Sequence, residues 1–128
     1  MKLLLDTHLL IWAAAGSNRM PKRALALLKD HDNEIFYSAA SLWEITIKAS
    51  TKRRGFQVDP RVLLRDLRDN GFLELPVTSR HGIAVLGLPD IHQDPFDRLL
   101  IAQAIVEGIT LLTSDATVAK YPGPIQKV

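Results

Sequence analysis

The chain has 128 residues and a mass of 14.3 kDa, which is one domain's worth, since single domains cluster near ~100–150 residues. A composition of 47 % hydrophobic and 23 % charged residues is typical of a globular protein and excludes a disordered tail. The absence of cysteine excludes disulfide scaffolds, thiolate zinc sites, iron–sulfur clusters and cysteine nucleophiles. The net charge of +2 and the pI near 9.1 are too mild to indicate a nucleic-acid partner. We expect residues 1–128 to form a single domain.

The beginning of the chain lacks the pattern of a secretory signal, because the apolar run that follows Met1 is interrupted at Asp6. The apolar stretch 9–15 is also far shorter than the ~20 residues of a membrane span. We therefore expect a cytoplasmic protein without a membrane partner.

Short apolar segments alternate with helical ones along the chain. The predicted strands are residues 2–5, 34–37, 72–75, 109–113 and 125–128. The predicted helices are residues 7–14, 21–31, 39–50, 59–70, 78–86, 95–107 and 114–119. Alternating strands and helices favour a parallel sheet, and short all-apolar strands favour burial on both faces. The predicted class is α/β.

Four acidic residues occupy comparable places in this arrangement. Two follow strands and two lie in the first turns of helices: Asp6, Asp115, Glu44 and Asp97. Because ligands of open α/β sheets bind at the carboxyl ends of the strands, we expect these acids at one rim. Anions gathered at one place repel one another unless a cation lies between them. With oxygen ligands alone the expected ion is Mg²⁺ or Mn²⁺, which can activate water and stabilise charge on a phosphodiester.

Helix capping is the simpler interpretation of each acid taken alone. Ser41 and Glu44 have the spacing of a capping box, in which Glu44 reaches back to a backbone N–H. The segment from Asp94 to Asp97 is typical of an N-cap, a Pro at the first helical position and an acid in the first turn. The acids that follow the first and fourth strands could cap the next segments in the same way.

The surroundings of two acids favour a functional role over capping. Glu44 is set among apolar residues and Asp6 follows three leucines, so both carboxylates are expected to be shielded from water. A shielded carboxylate is costly unless it is paired or coordinates a metal. An ion pair with Lys48, four residues further along the helix, is the alternative for Glu44.

Four short segments carry these acids, in order, over essentially the whole chain. They are residues 3–8 (LLLDTH), 38–45 (SAASLWEI), 94–102 (DPFDRLLIA) and 111–115 (LLTSD). Together they resemble the PIN-domain ribonucleases, and specifically the VapC-like toxins of type II toxin–antitoxin pairs. The resemblance implies a three-layer α/β/α sandwich with a mainly parallel sheet.

The resemblance also implies a metal-dependent endoribonuclease that hydrolyses RNA through a metal-activated water. Asp6, Glu44, Asp97 and Asp115 match the family's four catalytic acids. Asp6 and Asp97 would hold Mg²⁺ or Mn²⁺ most directly, Asp115 would be a further metal ligand, and Glu44 would complete the site. A cognate antitoxin that blocks the acidic groove and a homodimer are implied as partners.

Several polar residues beside the acids have roles that the sequence leaves open: Thr7, His8, Asp94, Arg98, Thr113 and Ser114. We expect Asp94 to cap a helix, Arg98 to form a structural ion pair, and His8 to lie at the surface or behind the metal ligands. The hydroxyls could orient water or cap helices. The four histidines do not have the spacing of a metal site.

The basic residues are concentrated in one part of the chain: Lys48, Lys52, Arg53, Arg54, Arg61, Arg65 and Arg68. They could contact RNA phosphates, which usually dominate nucleic-acid affinity, or form a solvated helix face. Both interpretations stay open on the sequence. Trp12 and Trp43 are expected in the core or an interface rather than as platforms for bases.

Two other functions remain open. A phosphatase of the haloacid dehalogenase type also begins with a strand that ends in Asp, but it needs a second Asp two residues later, where this chain has His8. The other alternative is a catalytically inert PIN-like binding module whose acids are structural. Such a protein would bind its partner and leave RNA intact.

Overall fold

The computed structural model describes residues 1–51 and 56–128. Its strands are β1 (Lys2–Leu5), β2 (Glu34–Ser38), β3 (Leu73–Leu75), β4 (Thr110–Thr113) and β5 (Ile125–Lys127). They form one sheet in the order β3-β2-β1-β4-β5, and every neighbouring pair is parallel. The predicted parallel sheet and the five predicted strand positions are confirmed.

The helices lie between these strands. They are α1 (Thr7–Ala15), α2 (Lys22–Lys29), α3 (Ala39–Ser50), α4 (Pro60–Asp69), α5 (Ser79–Ala84) and α6 (Pro95–Glu107). The helix predicted at 114–119 is wrong, since that segment has only a 3₁₀ turn at Val118–Lys120. The reason is that Asp115 Oδ1 accepts the backbone N–H groups of Thr117 and Val118, at 2.7 and 3.3 Å. This local turn competes with helical hydrogen bonding.

Side chains at the helix ends explain where the helices begin and stop. Helix α1 ends at Gly16 and α6 at Gly108, whose φ angles of 61° and 67° suit a residue without a Cβ. Helix α3 begins after Ser38, whose hydroxyl accepts the N–H of Ala40 at 3.0 Å. The capping-box interpretation of Glu44 is therefore wrong, because α3 starts before the serine at position 41.

Two hydrophobic cores lie on opposite faces of the sheet. Along β1, Leu3 and Leu5 face one core and Leu4 faces the other, as the period of two in a strand requires. The first core packs against α1 to α4, with Leu9, Ala24, Ile45 and Leu67 among its buried members. The second packs mainly against α6, through Leu100, Ile101 and Ala104. These layers confirm the three-layer α/β/α sandwich. Within the described ranges, no helix has the length and hydrophobicity needed to cross a membrane.

The strand order reverses at β1. Strands β2 and β3 lie on one side of it, and β4 and β5 on the other. The chain leaving β1 still bonds to β4, since the N–H of Asp6 donates to the carbonyl of Leu112 at 3.1 Å. In open α/β sheets such a switch point, at the carboxyl ends of the strands, is where ligands bind.

Candidate active site

Asp6 lies at this switch point and is almost fully buried, with 5 % of its surface exposed. Its Oδ1 accepts the N–H of Leu9 at 2.9 Å and so caps α1, while its Oδ2 accepts the hydroxyl of Thr113 at 2.6 Å. Burial raises the pKa of Asp6, although the hydrogen bond from Thr113 opposes this. Asp6 therefore caps α1, while its burial disfavours the charged form of the same carboxyl group.

Thr113 joins Asp6 to Asp115. The fully buried Thr113 hydroxyl donates to Asp6 and accepts the backbone N–H of Asp115 at 3.0 Å. Asp115 itself is exposed and caps its own turn, as the sequence allowed. Its negative charge contributes to the raised pKa of Asp6, so the two carboxylates are electrostatic neighbours.

Glu44 lies on the inner side of α3 and is held from two directions. Its Oε1 accepts the Thr7 hydroxyl at 2.8 Å, and its Oε2 forms an ion pair with Lys48 at 2.9 Å. Thr7 lies 3.0 Å from the hydroxyl oxygen of Ser41, which must act as the donor because the hydrogen of Thr7 is committed to Glu44. Because Thr7 directly follows Asp6, this contact ties α3 to the end of β1.

Asp97, in the first turn of α6, is partly exposed. Burial raises the pKa of Asp97, and the negative charges of Asp94 and Glu44 raise it further. A hydrogen bond with His92, 3.0 Å from Nε2 to Oδ2, acts in the opposite direction. Asp97 and Glu44 are therefore close enough to interact electrostatically, in the direction of the predicted meeting of the acids at one rim.

The donor chemistry of the site fits a hard divalent cation. All four carboxylates offer oxygen ligands, and mutual repulsion contributes to the raised pKa values of Asp6 and Asp97. The geometry is less complete: across residues 1–51 and 56–128, no group of three or more His, Cys, Asp or Glu side chains is arranged to hold a metal ion. Ligation by three of these acids would therefore require their side chains to shift.

Asp94 and Arg98 lie at the beginning of α6. Asp94 caps α6, accepting the N–H of Asp97 at 2.9 Å, as expected. The predicted ion pair of Arg98 is wrong, because its Nη1 donates to the carbonyl of Pro89 at 2.9 Å and to the Tyr121 hydroxyl at 3.0 Å.

Two further candidates stand beside the acids without a hydrogen bond to them. His8 is exposed and packs against Trp12, with 5.9 Å between the ring centroids. Its positive charge, when protonated, lowers the pKa of Asp6. Ser114 is half-buried directly after β4.

The contact of His92 with Asp97 was not predicted from the sequence. His92 lies in the loop before α6, in neither a helical nor a strand period, so spacing gives no signal for it. Its position five residues before Asp97, just ahead of the Asp94-Pro95 cap, is the only hint in the sequence that it could reach the acid.

Of the basic residues singled out from the sequence, the structure describes Lys48, Arg61, Arg65 and Arg68, and the first three contact acids. Lys48 pairs with Glu44, as the ion-pair alternative predicted. The other two ion pairs are more exposed: Arg61 with Asp59 at 3.3 Å and Arg65 with Asp66 at 3.9 Å. Arg68 is exposed, and the predicted phosphate-binding residues Lys52, Arg53 and Arg54 lie outside the described residues.

The two tryptophans differ in how far they are exposed to solvent. Trp12 is partly buried against the first core, as expected. Trp43 is 60 % exposed, so it does not lie in the core, and its placement in an interface stays a prediction. It lies on the opposite side of α3 from Ile45, which is fully buried.

The fold and its acidic rim define an α/β protein with a carboxylate site at the switch point of a parallel sheet. The chain belongs to the PIN-domain family, whose model matches residues 3–124. This membership leaves the dehalogenase-type phosphatase without support.

Three known proteins that are similar to this chain carry VapC or VapBC in their names. The chain is 27 % identical over 126 residues to Ribonuclease VapC22 of Mycobacterium tuberculosis, covering 96 % of this chain and 95 % of that protein. Its fold is similar to VapBC2 from Rickettsia felis bound to a promoter DNA fragment, with a TM-score of 0.69 and 18 % identity over 99 % and 98 % of the two chains. DNA-bound VapBC from Salmonella typhimurium gives a TM-score of 0.68 and 17 % identity over the same shares.

Proposed function

We propose that this protein is a metal-dependent endoribonuclease and the toxin of a toxin–antitoxin pair. The observation that carries the proposal is that two pairs of neighbouring carboxylates, Asp6 with Asp115 and Asp97 with Glu44, repel each other and so contribute to the raised pKa values of Asp6 and Asp97. The hydrogen bond from Thr7, next to Asp6, to Glu44 links the two pairs. The chain's likeness to a protein named as a ribonuclease, and to chains of VapBC complexes, supports the same reading. A partly desolvated acidic cluster is costly in a structural role, whereas a cation offsets the repulsion.

Asp6, Asp97 and Asp115 are the proposed ligands of Mg²⁺ or Mn²⁺. Bound there, the ion would supply positive charge against the scissile phosphate and lower the pKa of a water molecule. Thr113 holds Asp6 and the backbone of Asp115 in a fixed relation. Glu44 completes the site: Thr7 and Lys48 fix its two oxygens, and the lone pairs that remain can orient the attacking water.

RNA is the proposed substrate, and hydrolysis of its phosphodiester bonds is the proposed reaction. The partners are a cognate antitoxin that covers the acidic rim and a second copy of the chain in a homodimer. A single domain over residues 1–128 and a cytoplasmic location stay predictions.

The test is RNA cleavage by the purified protein in Mn²⁺, comparing wild type with Asp6→Asn and Asp97→Asn. Asparagine caps α1 about as well as Asp6 does, and in Asp97→Asn the amide oxygen can still accept a hydrogen bond from His92. Folding is therefore preserved in both variants while the charge is lost. Asp94→Asn is the matched control, because Asp94 caps α6 and is not a proposed ligand. We expect cleavage to be abolished in the first two variants and retained in the control.

Two outcomes would contradict the proposal. Cleavage that survives in both folded variants would make both acids structural. A wild-type protein that cuts no RNA when free of any partner would favour the inert binding module.

A further inference from the structure

His92 connects the proposed metal ligand Asp97 to the second hydrophobic core. Its Nε2 lies 3.0 Å from Asp97 Oδ2, and its Nδ1 lies 2.7 Å from the hydroxyl of Tyr121. Tyr121 is 4 % exposed and belongs to that core. The histidine ring therefore spans the distance between a buried anchor and a carboxylate at the acidic rim.

The partners of Tyr121 determine which ring nitrogen carries the hydrogen. A phenol oxygen has two lone pairs and one hydrogen. The backbone N–H of His92 and Nη1 of Arg98 donate to that oxygen, at 3.1 and 3.0 Å. The phenol hydrogen then goes to Nδ1 of His92 at 2.7 Å, which is closer than the carbonyl of the same residue at 3.2 Å. Nδ1 is thus an acceptor, and Nε2–H donates to Asp97.

Arg98, which also contacts Tyr121, holds the loop that carries His92. Arg98 donates from Nη1 to the carbonyl of Pro89 at 2.9 Å, and the carbonyl of His92 lies 3.3 Å from the same nitrogen. Its guanidinium also lies 5.8 Å from the centroid of the Tyr121 ring. The imidazole packs edge-on against that ring, with 5.3 Å between centroids. Backbone and ring are both fixed, so the Nε2–H donor has a defined direction.

We infer that His92 is a positioning residue for Asp97, fixing one carboxylate oxygen and thereby setting how tightly the acidic rim binds a divalent cation. The inference rests on the proposed function. Carboxylates that ligate metals are commonly held by such hydrogen bonds, whose loss typically costs about 10–100-fold in metal affinity. Asp97 needs this support more than Asp6, because it lies on a helix surface and has the charges of Asp94 and Glu44 beside it.

Two substitutions separate the N–H donation from the volume of the ring. In His92→Gln the amide nitrogen takes the place of Nε2 and can still donate to Asp97. In His92→Asn the amide takes the place of Nδ1, so the contact with Tyr121 is kept and the one with Asp97 is lost. His31→Asn, at an exposed position away from the site, is the control.

The primary measurement is Mn²⁺ binding to the RNA-free protein, followed by the electron paramagnetic resonance signal of free Mn²⁺. We expect His92→Asn to weaken binding about 10-fold or more. His92→Gln keeps the donor to Asp97 but lacks the contact with Tyr121, so it should weaken binding clearly less, and His31→Asn should stay close to wild type. The Mn²⁺ concentration for half-maximal RNA cleavage should shift by the same factor, with the maximal rate recovered at high Mn²⁺. Thermal melting of each protein shows that the fold is kept.

A second readout is independent of any metal. Long-range ¹H–¹⁵N correlation spectra report the tautomer of each histidine, and we expect the Nε2–H form for His92. The Nδ1–H form would overturn the inference. If His92→Asn unfolds, Tyr121→Phe replaces it, because it removes the hydroxyl that orients the ring and leaves both His92 and Asp97 in place; weaker Mn²⁺ binding is again expected.

The outcomes keep the inference and the proposed function apart. If Asp97→Asn abolishes Mn²⁺ binding and cleavage while His92→Asn changes neither, the positioning role is wrong and the nuclease stands. If His92→Asn and His92→Gln weaken binding equally, the ring acts through packing and the inference also fails. If wild type binds no Mn²⁺, the proposed function fails, and the inference fails with it.

Discussion

The two halves of the acidic rim are built differently. In the strand half, Asp6 and Asp115 follow neighbouring parallel strands, and Thr113 joins them by two hydrogen bonds. In the helix half, Glu44 and Asp97 project from α3 and α6. Their partners come from other places along the chain: Thr7, Lys48 and His92.

This difference indicates that the strand half of the site is more rigid than the helix half. The strand half inherits its spacing from the register of β1 and β4, which buried side chains on both faces fix. The helix half depends on individual side-chain contacts. The contact of Thr7 with Glu44 is buried, whereas those of Lys48 with Glu44 and of His92 with Asp97 are partly exposed. We therefore expect substitutions in the strand half to have the larger effects.

Among substitutions that leave the four acids in place, the largest effect should come from breaking the link inside the strand half with Thr113→Val. Valine keeps the shape but removes the donor to Asp6 and leaves the N–H of Asp115 without its acceptor. We expect Mn²⁺-dependent cleavage to fall about 10–100-fold and the free energy of unfolding to fall by about 1–3 kcal/mol. Cleavage assays over a Mn²⁺ series and urea denaturation measure the two losses.

Thr113→Ser is the matched control, since it keeps the hydroxyl and removes only a methyl group. It should retain most of the cleavage. A valine variant as active as the serine variant would show that the register alone holds the strand half together.

Asp6→Asn should raise the thermal stability of the protein in the absence of divalent cations. Burial raises the pKa of Asp6, so ionisation at neutral pH works against the fold. The asparagine Oδ1 can still accept from Leu9, and its Nδ2 can donate to the Thr113 oxygen. We expect a melting temperature a few degrees above wild type at pH 7, measured by circular dichroism in a chelator, with Asp94→Asn as control.

The pH dependence of that gain distinguishes the two halves further. The pKa of Asp6 in the folded protein is raised above 3.8. Ionisation of Asp6 therefore begins to destabilise the fold as pH rises from 3.8 through the folded-state pKa, and this cost is absent below pH 3.8. The stability gained in Asp6→Asn should therefore shrink as pH falls towards 4. Asp97→Asn should follow the same direction with a smaller gain, because Asp97 is less buried than Asp6 and exchanges a hydrogen bond between His92 and a carboxylate for a weaker one to an amide oxygen. Equal gains from the two variants would contradict the comparison.

The sequence predicts the strand half better than the helix half. Apolar runs that stop at Asp6 and shortly before Asp115 identify strand ends, and parallel topology places them together. Helix spacing predicted α3 correctly but not its cap, because both Ser38 and Ser41 are plausible caps and only the end of β2 decides between them. Contacts that depend on a loop conformation, such as that of His92 with Asp97, have no period in the sequence to reveal them.

Exposure of single side chains is also set by three-dimensional packing. Trp43 and Ile45 are both apolar residues of α3, yet the first is 60 % exposed and the second is fully buried. The stripe that contacts the first core includes only one of them. Arg98 illustrates the same point, since a neighbouring acid in the sequence suggested an ion pair and the loop carbonyls bind it instead.

The smallest effect is expected from Lys48→Met, in the helix half. Lys48 forms an i,i+4 ion pair with Glu44 and is partly exposed, and such pairs contribute about 0.3–0.5 kcal/mol. Because Thr7 still holds Oε1 of Glu44, we expect a small loss of stability by urea denaturation. The exposed helix residue Lys29, changed to Met, controls for the loss of a surface charge.

A double-mutant cycle with Glu44→Gln isolates the pair itself. A coupling energy within about 0.5 kcal/mol would agree with a helix half held by weak, exchangeable contacts, whose carboxylates can leave Lys48 for a cation. A coupling above about 1.5 kcal/mol, in the range of hydrogen bonds to charged groups, would make Glu44 as firmly anchored as Asp6. The contrast between the two halves would then be lost, and within the helix half the side-chain shift needed for ligation would have to come from Asp97.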